Sequence, residues 1–214
     1  MQNVMIVLQF SALVPVLIIL VYKPTLNLFF KLLFASILLS ILFDIIGTTS
    51  TYFYKNNISI YCAYFFISSI LVTYMWKRIS FYPSSAKRLI NIVGCIIVTL
   101  MVFVSLFFKM TIETFYTNSC LSVLLYLIFA LQYYYQKITI SLYTPILEDP
   151  YFIAASGYIL FSLSTIIILA VQIHFKEKPF MEYTWVLRQT FYMIFNLIIA
   201  YAFYVFNKTQ LNRK

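Results

Sequence analysis

Three ionised side chains stand inside apolar stretches of this sequence, and one of them, Lys31 in the first turn of the second stretch, can extend to the membrane surface. Asp44 lies near the end of the second stretch and Arg188 near the start of the last. An ionisable residue within a membrane span is a functional candidate by default, because burying its charge in lipid is expensive. Both residues lie about one helical turn from the same predicted surface, so they could form an ion pair inside a helical bundle. The pair could bind a ligand or act as a switch. The structural alternatives are a contact that only joins two helices, or separate contacts with the interface.

His174 ends the sixth apolar stretch on that same predicted outer side, and Glu182 follows it. With Asp44 and Arg188 these residues could line one outward-facing vestibule. Histidine titrates near neutral pH, so a vestibule of this kind could sense protons, while a polar helix end is the structural alternative. A single histidine without paired ligand spacing argues against a metal site. We expect neither a metal nor a cofactor.

Uncharged polar and aromatic groups lie deeper in the apolar stretches. Asn196 cannot satisfy its amide on its own helix, so we expect it to bond a neighbouring helix. The sixth stretch carries four hydroxyl residues that can bond back to carbonyls of their own helix. These are Ser156, Ser162, Ser164 and Thr165. Tyr158, Tyr192 and Tyr64 could line an aromatic ligand pocket, whereas an interfacial aromatic belt is the alternative for the chain's many other rings.

Two connections, 77–88 and 137–150, are the longest on the predicted cytoplasmic side and the expected docking surfaces for a partner. Their charged residues are Lys77, Arg78, Lys87, Arg88, Glu148 and Asp149. Asp149 stands directly before Pro150, and an aspartate followed by proline is typical of a helix start. The same residue is therefore also a predicted N-cap.

Seven apolar segments must position these residues. They are predicted at 4–22, 28–48, 58–76, 89–108, 117–136, 151–173 and 185–206. Hydrophobic residues make up 63% of the 214 positions and charged residues 10%, against roughly half and a quarter in soluble domains. Segments near 20 residues span a bilayer as helices. The sequence predicts an all-α polytopic membrane protein, with seven transmembrane helices in one bundle over 1–214 and no soluble domain.

The basic residues are distributed unequally between the two predicted sides, ten against four, with Arg188 just inside the last span. This bias predicts an outer N-terminus and a cytoplasmic C-terminus in a bacterial inner membrane. It also accounts for the net charge of +9 without nucleic acid as a partner. The first segment lacks a basic leader and a clear cleavage site, so it is interpreted as a retained helix. Whether Cys62 and Cys120 pair is left open, because geometry decides it.

Two segments resemble a group of small seven-helix membrane proteins from Bacteroidota, often encoded beside sensor histidine kinases. The sequence EDPYFI at 148–153, continuing as SGYILFS at 156–162, is similar to that group's acidic start of helix six. Residues 185–201 are similar to its Trp-led last helix, although the group often has a histidine where this chain has Arg188. The resemblance implies seven helices and a signalling neighbourhood, with a histidine kinase as one partner.

Together these patterns favour a sensory or accessory membrane protein that couples an outer polar vestibule to a cytoplasmic partner. A small transporter or channel is the first alternative, with Asn196 and the hydroxyls of the sixth span as its polar path. A structural subunit of a larger membrane complex is the second. Whatever its function, the chain could also form an oligomer. No Walker loop, GxSxG elbow or HExxH motif is present, so the enzyme hypothesis has little support.

Overall fold

The structure, a computed structural model, describes residues 10–54, 56–79, 81–108, 110–140, 145–174 and 178–211. Its helices are α1 (Leu13–Tyr22), α2 (Leu28–Tyr54), α3 (Ile58–Lys77), α4 (Ser84–Phe107), α5 (Ile112–Ile140), α6 (Pro150–His174) and α7 (Lys178–Leu211). Short 3₁₀ turns, Phe10–Ala12 and Ile146–Glu148, precede α1 and α6. No strand occurs in these ranges.

Six of these helices, α2 to α7, are long and apolar enough to cross a membrane. The apolar helix Phe10–Tyr22 is shorter. It rises roughly 20 Å, against a hydrocarbon core of about 30 Å. The first predicted span also includes residues 4–9, which lie outside the described residues. The chain is therefore an all-helical, multi-pass membrane protein, and the count of seven spans stays a prediction.

Several helices continue beyond the apolar segments predicted for them. The second span was expected to end at 48, but α2 ends at Tyr54. Likewise α5 covers Ile112–Ile140 instead of 117–136. In α2 the hydroxyls of Thr48 and Thr49 donate to the carbonyls four residues earlier, each at 2.8 Å. The backbone hydrogen bonds of a helix can continue past its most apolar segment, so these helices are longer than the segments predicted for them.

The residues separate into two compact units, and the division falls within α5. One unit contains α1, α6, α7 and the part of α5 from Ala130 on; the other contains α2, α3, α4 and α5 up to Phe129. In the first unit α7 packs along both α6 and α1. In the second, α3 packs between α2 and α4. The prediction of a single domain stays a prediction.

A close approach of α3 and α4 depends on one glycine. A Cβ atom built on Gly94 would lie 2.4 Å from Cγ2 of Thr73. That distance is far below van der Waals contact, so a larger residue at Gly94 would require the Thr73 side chain or the helix that carries it to shift. The sequence lacks a GxxxG motif, yet a single glycine is enough here to bring two helices together.

Hydroxyl groups join α3 to α5 inside the second unit. Ser68 and Tyr126 share a hydrogen bond of 2.8 Å between their oxygens. One residue further along α3, Ser69 donates to the Ser122 hydroxyl at 3.2 Å. All four side chains are buried. We call these four residues the α3–α5 hydroxyl seam. It pairs polar groups between helices, as buried groups in lipid require.

Candidate functional site

A buried ion pair stands where α5 leads into α6. The Lys137 ammonium lies 2.6 Å from Oδ2 of Asp149. The Tyr133 hydroxyl donates to the same oxygen at 2.7 Å. Lys137 and Asp149 are each 8% exposed, and Tyr133 is fully buried. We call these three residues the Asp149 cluster.

The second oxygen of Asp149 caps α6. The backbone N–H of Tyr151 donates to Oδ1 at 3.0 Å, and that of Phe152 at 3.4 Å. Pro150 is the first residue of the helix, where its missing N–H costs nothing. The predicted N-cap is therefore confirmed. Both carboxylate oxygens are engaged, in contrast to the neighbouring Glu148, which is exposed.

Lys137 is a member of this cluster, and sequence reasoning missed its burial. The predicted fifth span ended at 136, which placed Lys137 in a connection and made it a topology signal. In the structure α5 continues to Ile140, so Lys137 belongs to the helix. Its buried side chain reaches the Asp149 carboxylate at the start of α6. The sequence did contain a signal for this contact. Lys137 and Asp149 carry opposite charges and flank the short connection between α5 and α6. A buried ion pair is tolerated when further hydrogen bonds satisfy its polar atoms, and both oxygens of Asp149 have such bonds here.

Further along α6, polar residues share one face. Tyr158, Ser162, Thr165 and Gln172 are spaced by three, four or seven residues, which places them on one side of a helix. We call them the polar face of α6. Ser162 is 0% exposed and Thr165 is 1% exposed. Neither hydroxyl has a hydrogen-bond partner. Buried polar groups in proteins are rarely left in that state.

The Gln172 amide has one bonded atom and one unbonded atom. Its Nε2 donates to the Thr184 hydroxyl on α7 at 3.0 Å. Its Oε1 is buried and has no partner. Gln172 therefore joins α6 to α7 through one half of its amide, while the other half is an unused acceptor. The polar face ends here, about half a helical turn before the C-terminus of α6 at His174.

Two other serines of α6 behave as the sequence predicts. Ser156 donates to the carbonyl of Phe152 at 2.9 Å and lies 2.5 Å from the Tyr134 hydroxyl. Ser164 donates to the carbonyl of Leu160 at 2.8 Å. These two hydroxyls use the option of bonding back to their own helix. Ser162 and Thr165 do not use it.

An aromatic cluster lies beside the polar face, at the contact between α6 and α7. The Phe195 ring lies 5.1 Å from the rings of both Tyr158 and Phe161. Tyr192 lies 6.1 Å from Phe161. The structure thus brings Tyr158 and Tyr192 into one cluster within the first unit. The third predicted pocket tyrosine, Tyr64, belongs to the second unit, 5.6 Å from Phe43.

Asn196 faces the start of the chain's first described helix. Its Nδ2 donates to the hydroxyl of Ser11, in the turn before α1, at 3.0 Å. Both side chains are buried. The expected bond between Asn196 and a neighbouring helix is confirmed. The amide therefore contributes to the packing of α7 against the N-terminal segment.

The residues of the predicted outer vestibule lie in separate surroundings. His174 is exposed at the end of α6, with Nδ1 3.0 Å from the carbonyl oxygen of Ala170. The Arg188 guanidinium lies over the Trp185 ring at 5.6 Å. Asp44 belongs to the other unit, and the side chain of Glu182 lies outside the described residues. The vestibule and the ion pair between Asp44 and Arg188 stay predictions.

The basic connection between α3 and α4 is partly ordered by tyrosines. The Arg78 guanidinium donates to the Tyr74 hydroxyl and lies over its ring, 4.3 Å from the centroid. Tyr82 is buried, and burial raises the pKa of its phenol, so it stays neutral. Lys77 and Lys87 are half-buried, and Arg88 is exposed. Docking through these residues stays a prediction.

The described residues contain neither a candidate metal-ligand group nor a disulfide. No group of three or more His, Cys, Asp and Glu side chains could hold a metal ion there. Cys62, Cys95 and Cys120 are free thiols, which answers the question of pairing between Cys62 and Cys120.

Comparison with known proteins adds no relative: no protein-family model, curated protein or solved structure matches this chain.

Proposed function

We propose that this multi-pass membrane protein is a sensory or accessory component that passes a binding event on α6 to a cytoplasmic partner. It would reside in a bacterial inner membrane, with seven spans, the N-terminus outside and the C-terminus in the cytoplasm. The observation that carries the proposal is the Asp149 cluster. It fixes the start of α6 to the end of α5, beside the connection that the sequence predicts as a docking surface.

Signalling through a helix needs two discrete arrangements, and we propose that the cluster supplies them by forming and breaking. When Lys137, Tyr133 and the first turn of α6 all bond Asp149, its carboxylate is neutralised and the helix start is held. A movement of α6 that separates Asp149 from Lys137 would leave a buried charge uncompensated, so intermediate positions are disfavoured. A ligand bound to the polar face, roughly two to six turns further along, could bias this choice because one continuous helix joins the two places.

The partner is tested by cross-linking in native membranes. A photoreactive amino acid at Glu148, which is exposed, would capture a protein bound to the 145–150 region of the connection. We expect Asp149→Asn to change both the cross-link yield and the activity of the captured protein, which is autophosphorylation if it is a histidine kinase. The matched control is Glu113→Gln, which neutralises an exposed carboxylate at the opposite end of α5. If no protein is captured, or Asp149→Asn behaves as Glu113→Gln does, the proposal fails.

The orientation is tested separately by tag accessibility in intact cells. Seven spans place the two chain ends on opposite sides of the membrane, whereas six place them on the same side. We expect a tag before residue 1 to be accessible from outside and a tag after residue 214 to be protected. If both tags lie on the same side, the chain does not cross the membrane seven times. The N-terminal helix is then not a span, and the predicted placement of the two ends is wrong.

A small transporter is the second candidate, because the unpartnered groups of the polar face extend along α6. Flux of an uncharged solute into proteoliposomes would support it, if Thr165→Val lowers the rate and Ser164→Ala does not. An unchanged flux in both variants, and in Asn196→Leu, would leave no polar path for transport.

A further inference from the structure

The hydroxyls of Ser162 and Thr165 form an unusual pair. They lie three residues apart on one face of α6, which brings their Cβ atoms to about 5–6 Å. Both side chains are at most 1% exposed, and both oxygens lack a hydrogen-bond partner. A hydroxyl taken out of water without a partner is a net cost to folding.

Their own helix offers these hydroxyls a partner that they do not use. A serine or threonine in a membrane helix can bond the carbonyl four residues earlier by rotating one side-chain torsion. Ser164, on the same helix between them in sequence, does so at 2.8 Å. Ser162 and Thr165 have the same option, yet their oxygens do not take it. The chain itself therefore leaves their hydrogen-bonding capacity unused. Because both side chains are enclosed, a molecule that bonds them must displace the groups packed over them.

The groups around them define the chemistry of that molecule. Hydroxyls both donate and accept, and the unused Oε1 of Gln172, about 10 Å further along the helix, accepts. The described polar face carries no ionisable acid or base other than the Tyr158 phenol, so it offers no counter-ion to a charged ligand. The Tyr158 ring belongs to the aromatic cluster, which provides an apolar surface next to the hydroxyls.

We propose that the polar face of α6 binds a small uncharged molecule that carries a hydroxyl group on an apolar body. The ligand hydroxyl exchanges hydrogen bonds with Ser162 and Thr165, and the apolar body packs against the aromatic cluster. Gln172 supplies a further acceptor toward the end of α6. Binding would have a signalling consequence only if the proposed sensory function is correct. The inference then names the ligand class that the sensor detects.

Photolabelling of the purified full-length protein in lipid nanodiscs tests this site. The probe is octanol carrying a diazirine, and labelled residues are located by mass spectrometry. We expect saturable labelling between residues 158 and 172 that unlabelled octanol displaces and octane, which has no hydroxyl, does not. In the variant Ser162→Ala/Thr165→Val, labelling there should fall roughly tenfold, as expected for two lost neutral hydrogen bonds. Ser164→Ala, the matched control, should label as the wild type does.

Three results would overturn the inference. The first is equal labelling in the wild type and the double variant. The second is labelling spread over exposed, lipid-facing residues such as Ile96 and Phe103 of α4 without a maximum on α6. The third is equal competition by octanol and octane. Circular dichroism and size-exclusion elution check folding; if the double variant is unfolded, Thr165→Val alone provides the comparison.

The two proposals fail separately. The labelling experiment uses purified protein and needs no partner, so a missing effector would remove the sensory function and leave the binding site intact. Conversely, absent labelling on α6 would remove this ligand class while the effect of Asp149→Asn on a partner would still stand.

Discussion

The start and the middle of α6 treat buried polar groups in opposite ways. At the start, both oxygens of Asp149 are engaged, by an ammonium, a phenol and two backbone N–H groups. In the middle, Ser162 and Thr165 are at least as deeply buried and have no partner. The contrast teaches that burial alone does not define the role of a polar residue. The Asp149 carboxylate has hydrogen-bond partners at both oxygens and positions the start of α6. The hydroxyls of Ser162 and Thr165 lack such partners and can still bond a ligand.

The α3–α5 hydroxyl seam provides a reference for this comparison. Its hydroxyls are of the same kind and equally buried, but each is bonded to a hydroxyl of the facing helix. Unpartnered hydroxyls are therefore not a general property of buried positions in this chain. Substitutions that remove one polar group at each place should have effects of different size and sign.

The largest effect is expected at the start of α6. Lys137→Met removes the cation and leaves the Asp149 carboxylate buried without it, which should lower the free energy of unfolding by about 3–5 kcal/mol. Reversible unfolding by SDS in mixed lipid–detergent micelles measures this quantity. The double variant Lys137→Met/Asp149→Asn should recover most of the loss, because the amide can still cap the helix. Lys31→Met, at an exposed lysine of α2, is the control. A single variant as stable as that control would show that the ion pair contributes nothing to folding.

A smaller loss is expected in the hydroxyl seam. Tyr126→Phe removes a hydroxyl that Ser68 shares, and should lower the free energy of unfolding by about 1 kcal/mol. Tyr135→Phe, at an exposed tyrosine of the same helix, should have almost no effect in the same titration. Equal stability of the two variants would mean that the seam is not a stabilising contact.

The sign should reverse in the middle of α6. Thr165→Val replaces an unpartnered hydroxyl by a methyl group of similar size, and should raise the free energy of unfolding by about 1 kcal/mol in ligand-free protein. Thr190→Val on α7 is the control, because that hydroxyl donates to the carbonyl of Val186 at 3.0 Å and its loss should not stabilise. A destabilised Thr165→Val variant would show that the hydroxyl is bonded in the ligand-free protein, for example to ordered water.

The smallest effect is expected at Gln172, where one amide atom is bonded and the other has no partner. Gln172→Leu removes the bond to Thr184 and at the same time removes an unpartnered oxygen. These contributions oppose each other, so the free energy of unfolding should change by less than about 0.5 kcal/mol. Measured alongside Thr165→Val, a large loss in Gln172→Leu would indicate that both halves of the amide are bonded.

Much of the helical framework could be predicted from the sequence, because lipid requires about 20 apolar residues per span. The six predicted spans after the first fall on α2 to α7, with ends that differ by up to several residues. The N-cap at Asp149 and the helix-to-helix bond of Asn196 were also predictable, because each follows from what one side chain can do locally.

The sequence did not predict which side chains contact each other. Lys137 lay beyond the predicted apolar window, so its burial against Asp149 depended on the extra helical turn of α5. The sequence assigns Ser162 and Ser164 the same local option, and only the packing of α6 separates them. For Asp44 and Arg188, equal predicted depth says nothing about which faces of their helices meet, and their pairing stays a prediction.

The apolar part of α7 alone, Tyr183–Leu211, is 29 residues long. At 1.5 Å per residue it rises on the order of 43 Å, well beyond a hydrocarbon layer of about 30 Å. Either this helix tilts or its ends stand among headgroups, where Gln210 bonds Thr25 near the start of α2. Acyl-chain length in a reconstituted vesicle is consequently an experimental variable, since thicker and thinner bilayers would set different tilts for the helix that packs against both α1 and α6.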